Sequence, residues 1–178
     1  MQVKTLTTDT TTRERLARLS TLAISVDELF IDKAQRLLDV FVSDPTDVLS
    51  LGLVAEPGKY EKRFLFGDGM TSAWAFAWGA GASTPIHDHH CPCVVGVVDG
   101  TVLEEWFEPE DEGSEFVRLA KAHDRPRGAI TALRPRRPNI HRIRNIGSDM
   151  AMTVHIYGFN HKAVATSVDR EYLARELS

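Results

Sequence analysis

From residue 72 onward the chain is cut into short runs in which apolar and polar side chains alternate, and this period of two limits the possible folds more than any other feature. The pattern is clearest in TSAWAFAWG, where Trp74, Phe76 and Trp78 share one face of a strand and three alanines share the other. CVVGVV, TVLEEWF, EFVRLAKA, AITALRP, IHRIRN and AMTVHIYGF follow, separated by turn residues. Asp99-Gly100 between two β-rich runs predicts a tight hairpin, because a two-residue turn needs positive φ at its centre. Many short strands can bury their apolar faces only by packing sheet on sheet or by closing, so a barrel or sandwich is expected.

The first 45 residues read differently. Ser25 to Glu28 has the spacing of a helix-capping box, and Leu29, Phe30, Ala34, Leu37, Leu38 and Phe41 then recur at helical intervals. A last segment, VDREYLAREL, reads as a terminal helix. With 178 residues, 43% hydrophobic and 26% charged, the chain has the make-up of one globular domain and not of a disordered or fibrous protein. No repeat or linker divides it, so residues 1–178 are expected to form a single domain, with a helical segment at 1–45 and the barrel over 60–160.

Partners are narrowed by charge and hydropathy. A net charge of -4 offers no basic surface for nucleic acid, and the short cluster Arg134, Arg136 and Arg137, broken by Pro135 and closed by Pro138, reads as a solvated loop. No apolar run approaches the roughly 20 residues that span a bilayer, and the N-terminus lacks the apolar core of a secretory signal, so no membrane association and a cytoplasmic location are expected. Cys91 and Cys93, one residue apart, cannot cross-link distant segments.

The segment GASTPIHDH carries the first chemistry. Side chains two apart on a strand point the same way, so His87 and His89 can aim at one point inside a barrel while Asp88 points away. His141, in the later run NIHRIRN, offers a third imidazole that can cross the same interior. Three imidazoles hold a divalent ion on one face and leave the other open to substrate, as catalytic metal sites require. The plainer reading is a chance His-x-His pair on a surface strand. Another is a zinc site drawing on His90, Cys91 and Cys93, although His90 and Cys91 are adjacent and cannot both face the ligands. His123 and His161 sit in polar stretches and read as surface residues.

Two glycines and a later His-x-x-x-Asn give these histidines the spacing of both halves of the cupin signature, with Cys93 where cupins usually carry a glutamate ligand. In MTVHIYG, Thr153, His155 and Tyr157 alternate with Val154 and Ile156, placing a hydroxyl, an imidazole and a phenol in a row able to act as a hydrogen-bond relay; a satisfied polar strand face is the plainer reading. Through TPIHDH, VVGVVDG, NIHRIRN and this Thr-x-His-x-Tyr-Gly strand the chain resembles the thiol dioxygenases of the cysteine dioxygenase family, over residues 60–160.

The resemblance implies a mainly β, single-domain cupin (double-stranded β-helix) barrel preceded by α-helices. It further implies non-haem Fe(II) on His87, His89 and His141, a relay of Thr153, His155 and Tyr157, and addition of O2 to a small thiol to give a sulfinate. It also sets Cys93 where animal members can cross-link a cysteine to the tyrosine matching Tyr157, the alternative being a plain buried cysteine. Where animal enzymes grip the substrate carboxylate with an arginine shortly after a tyrosine, and bacterial mercaptopropionate enzymes carry a glutamine, this chain has KYEKRF. That offers Tyr60 with Lys62 or Arg63, of which only Arg63 can form a bidentate fork; a solvated strand face is the plainer reading.

HHCPC after the ligands also departs from the family, and Pro92 should reshape the chain near the metal. Cysteine and 3-mercaptopropionate are the first substrates to consider, and a monomer or small homo-oligomer is expected. Rival readings keep the site but load nickel, zinc or another metal in specialised sulfur chemistry or hydrolysis, or make the protein a non-catalytic metal- or ligand-binding cupin. The row Trp74, Phe76 and Trp78 is read as core packing and not as pocket wall.

Overall fold

Small residues on the helix-facing side of one sheet decide how the layers stack. In the computed structural model, which describes residues 10–135 and 139–175, helix α1 (Thr10–Ser43) packs chiefly across strand β4 (Cys93–Asp99), and the alanine face of strand β2 (Ser72–Trp78) joins the same core. Ile31, Ala34 and Leu38 pack there with Ala73, Ala75, Ala77, Val94, Val154 and Ile156. Only small residues allow this approach: a Cβ added to Gly96 would stand 3.1–3.2 Å from the side chains of Val42 and Leu38. Arg134 adds a bidentate link to α1, its guanidinium donating to both carboxylate oxygens of Glu28 at 2.6 and 2.8 Å. Arg134 lies, as expected, in a solvent-exposed loop segment, here tied to α1 by this ion pair, while Arg136 and Arg137 lie outside the described residues.

Behind the helix are two sheets. A short helix α2 (Thr46–Leu49) leads into β1 (Tyr60–Gly67), which pairs with β2; β3 (Ile86–His89), β4 (Cys93–Asp99), β5 (Thr101–Pro109), β6 (Phe116–Pro126), β7 (Ile130–Leu133), β8 (His141–Arg144), β9 (Ala151–Tyr157) and β10 (Val168–Ala174) follow. The first sheet has the order β1-β2-β9-β4-β7, and the second, β10-β3-β8-β5-β6, closes on itself. Phe76, Trp78, Val95, Val97 and Tyr157 from the first meet Val102 and Ile143 from the second in the core between them. The expected mainly β barrel with a helical N-terminal segment is thus present. Among the described residues no helix is long and apolar enough to cross a membrane.

Three local expectations need correction. Ser25 to Glu28 does not start a helix: α1 runs through it unbroken from Thr10, since apolar residues at helical spacing continue upstream at Leu16, Leu19 and Leu22. Asp99-Gly100 is not a hairpin. Its strands belong to different sheets, β4 pairing with β7 and β9 and β5 with β6 and β8, so the turn is the corner by which the chain changes sheet. The terminal VDREYLAREL is strand over Val168–Ala174 and lies outside the described residues from 176. Asp88 captures it, accepting the Arg170 amide and the Tyr172 hydroxyl at 2.8 Å each, and tertiary pairing with β3 overrides local helical preference.

The corner makes a stability prediction. Gly100 has φ +70°, and a Cβ there would lie 2.9 Å from the Ala151 Cβ, whereas Gly113, at φ +79°, has open space around it. Gly100→Ala should cost about 2–4 kcal/mol and Gly113→Ala only about 1 kcal/mol, read from urea midpoints at unchanged m. Equal losses would show that close approach at the corner contributes nothing.

Candidate metal centre and relay

The four residues of β3 are all buried. Alternation sends His87 and His89 inward and Asp88 outward to Arg170 and Tyr172. His141 opens β8 directly opposite His87 in the register of the two strands. Asn139 locks the third position: its amide donates to the carbonyl of His89 at 3.0 Å and accepts the His89 N–H at 3.3 Å.

The imidazoles converge through Nε2. His89 Nε2 is 3.1 Å from Nε2 of His87 and 3.1 Å from Nε2 of His141. Bonds of about 2.1 Å meeting at a right angle on one metal ion place their nitrogens about 3.0 Å apart. Tautomers fit the same purpose. Nδ1 of His87 lies 2.9 Å from the Pro85 carbonyl, which can only accept, so that nitrogen carries the proton and Nε2 presents a lone pair. Burial holds the His87 imidazole down to about 3, and burial with the neighbouring His141 and His87 holds His89 well below its ordinary 6.5. Three buried imidazoles whose Nε2 atoms converge suit a divalent cation, and the donor set fits a non-haem metal.

The relay stands on β9, on the opposite sheet. Trp78 Nε1 donates to Thr153 Oγ1 at 2.9 Å; Thr153 Oγ1 is 2.9 Å from His155 Nε2, and His155 Nδ1 is 3.1 Å from the Tyr157 hydroxyl. An indole N–H only donates, so Thr153 Oγ1 accepts from Trp78 and keeps its own proton available for His155 Nε2; in that tautomer Nδ1–H donates to the phenol oxygen and the phenol O–H is left to point onward. Burial keeps the Tyr157 phenol protonated, well above its ordinary 10, and holds His155 neutral at about 3. Cys93 stands opposite Tyr157 in the β4–β9 register as a free thiol.

A cavity of about 230 Å³ joins the two halves, lined by His87, His89 and Tyr157 and also by Tyr60 and Lys62. The two cations of KYEKRF part company. Lys62 enters the cavity, its ammonium 5.2 Å from the centre of the Trp74 ring, while Arg63 turns to the outer surface and donates to the Leu51 carbonyl at 2.7 Å. Trp74 and Phe76 also line the cavity, so of the aromatic row only Trp78 is core alone. His161, expected on the surface, is half-buried in the same cavity, with Nδ1 against the Ser72 hydroxyl and the Trp74 indole N–H. Its signal lay in position, four residues beyond Tyr157 on the chain leaving β9. Glu104 was also missed. Alternation in TVLEEWF sends its two glutamates to opposite faces and both are buried: Glu104, 1% exposed, lies beside His141, while Glu105 pairs with Arg142.

A family model described as Cysteine dioxygenase type I matches residues 2–166. The chain belongs to that family. Among curated members, human cysteine dioxygenase type 1 is 25% identical over 135 residues, covering 74% of this chain and 66% of the human protein; the rat protein is 24% identical over the same shares. The match thus spans just under two thirds of these relatives' length. Similar solved structures include a cupin superfamily protein of Desulfitobacterium hafniense (12% identity, TM-score 0.46, 60% of this chain and 83% of that one). Another is a Klebsiella pneumoniae protein with a double-stranded β-helix domain (13%, TM-score 0.48, 61% and 84%). A three-histidine centre in a cysteine dioxygenase family chain is consistent with iron.

The buried relay histidine makes stability depend on pH in a signed way. His155 has a folded pKa of about 3 against an ordinary 6.5, so between these values the unfolded chain binds a proton that the folded chain refuses. Stability of the metal-free protein should therefore fall as pH drops from 6.5 towards 3. His155→Gln should show a shallower fall, measured by urea denaturation from pH 7 to 4.5; equal slopes would contradict the assignment.

Proposed function

We propose that this protein is an oxidoreductase that adds both atoms of O2 to the sulfur of a small carboxylate-bearing thiol, giving the sulfinate, with Fe(II) held by His87, His89 and His141. The observation that carries the reading is a single cavity shared by two metal-facing imidazoles, the terminal phenol of a hydrogen-bonded relay and one lysine. Iron ringed by uncharged imidazoles keeps its full charge, and it supplies the affinity for thiolate and the O2 chemistry that no side chain here offers.

The remaining roles fall to the chain itself. Trp78 and Thr153 fix the orientation of His155, which holds the phenol oxygen so that the Tyr157 O–H can donate to charge developing on the oxidised sulfur or oxygen. Lys62 provides a point charge for the substrate carboxylate, with Tyr60 beside it, and Arg63 has no part because it lies outside the cavity. Glu171 also lines the cavity, and it is where cysteine, which carries an ammonium, and 3-mercaptopropionate, which does not, meet different surroundings.

Oxygen consumption by anaerobically iron-loaded protein with a panel of small thiols, with product masses, tests the reading. Thiol-dependent uptake with a gain of two oxygens is expected, lost in His141→Ala. Tyr157→Phe should lower kcat roughly 100-fold. Lys62→Ala should raise KM about tenfold, in keeping with a charge-assisted contact, and Arg63→Ala should leave it unchanged. No uptake with any thiol at stoichiometric iron would overturn the proposal.

A further inference from the structure

Among the described residues, Glu104 is the carboxylate buried against a metal-facing imidazole. It sits on β5 with 1% exposure, and its two oxygens divide their work. Oε2 accepts Nε and Nη2 of Arg125 at 2.9 and 2.8 Å. Oε1 faces His141 Nδ1 at 3.5 Å, and neither of these buried atoms has a hydrogen-bond partner among the described residues. A buried carboxylate oxygen left unbonded is costly, and so is a buried imidazole N–H. The two lie a few tenths of an ångström beyond an ordinary hydrogen bond, and each is the acceptor or donor that the other lacks.

We propose that Glu104 is the positioning residue of the metal centre: it accepts the Nδ1 proton of His141, fixes the tautomer that turns Nε2 to the ion, and lends the centre negative charge through the imidazole, with Arg125 setting how much of that charge is available. The inference rests on the metal-site reading given above but not on thiol oxidation. It also makes the three ligands unequal. His87 leans on a neutral carbonyl, whereas His141 leans on a carboxylate, which raises its basicity more. Where cupins usually place a glutamate on the metal this chain has Cys93, so Glu104 supplies acidic character one residue removed from the ion.

Charge and simple packing predict opposite patterns, which makes the proposal testable without turnover. In Glu104→Gln, Co(II) and Fe(II) affinity measured by chelator competition should fall tenfold to a hundredfold, and the Fe(III)/Fe(II) potential should rise. In Arg125→Gln the carboxylate loses its competing cation, so the potential should move the other way and affinity should hold or increase. If Glu104→Gln fails to fold by circular dichroism, Glu104→Asp keeps the Arg125 pair but withdraws from His141, and it should show the same weakened binding and raised potential. Unchanged affinity and potential in the Glu104 variant, or a parallel loss in Glu104 and Arg125 variants, would overturn the proposal. Wild-type protein that binds neither ion would instead refute the metal-site reading itself.

Discussion

The strands that carry the metal-facing histidines are joined by a single registered pair, His87 opposite His141. The remainder of that seam is held by backbone bonds outside the named strands together with side chains and an isolated bridge. Asn139 clamps the backbone of His89 from both sides, Thr84 exchanges hydrogen bonds with Ile143 through its amide and its hydroxyl, and Ser83 bridges to Arg144. Backbone bonds between Gly81 and Asn145 at 3.0 Å and between Asn145 and Ala82 at 2.9 Å continue the seam, so the three imidazole nitrogens converge on a spacing that the backbone helps to set. Those nitrogens repel one another unless a cation or a proton lies between them, and burial disfavours the proton. Metal affinity and the integrity of this side of the barrel are therefore parts of one equilibrium, since an ion that binds only the folded seam stabilises it by mass action.

The relay depends on the same closure from the opposite side. Thr153, His155 and Tyr157 stand on the first sheet and the imidazoles on the second, so the two halves meet only when the intervening core packs. Val95 and Val97 flank His155 and Thr153 across the β4–β9 register, while Phe76 and Trp78 cover them from β2. Trp78 has two duties here: its ring fills core volume and its N–H holds Thr153 Oγ1 in place beside His155. A substitution there would alter core packing and the geometry of the relay together.

Much of this was readable in the amino-acid order because strand periodicity is an exact constraint. Alternation alone places His87 and His89 on one face with Asp88 on the other, and Thr153, His155 and Tyr157 in a row. What was not readable depended on which strand each run would meet. Asp99-Gly100 carries hairpin chemistry, yet the same positive-φ turn also serves a sheet-changing corner, and only the pairing of β4 with β9 separates the two. VDREYLAREL has helical preference and becomes strand because Asp88, which local reasoning could only send outward, finds Tyr172 and Arg170 there. The choice between Lys62 and Arg63 was likewise a matter of strand phase, and Lys62 opposite Phe76 takes the face that the cavity uses.

One stretch that departs from the family's pattern, HHCPC, is built into the cavity wall. HHCPC after β3 and the chain leaving β9 pack against each other: Gly158 donates its amide to the Pro92 carbonyl at 2.9 Å, and a Cβ on Gly158 would lie 2.7 Å from Pro92 Cγ. His90 donates a ring N–H to the Thr166 carbonyl at 2.9 Å and sets its ring edge-on to Phe159, which in turn lies against His161. Residues 165–167 and His161 are part of the cavity wall, so the path of residues 90–93 determines where that wall stands. Because Trp74 can only donate to His161 Nδ1, the proton of the neutral ring resides on Nε2, which adds a hydrogen-bond donor to a cavity already lined by Lys62 and by the hydroxyls of Tyr60 and Tyr157. A departure beside the metal ligands is thus transmitted, through one proline and one glycine, to the groups that a substrate would meet on the far wall.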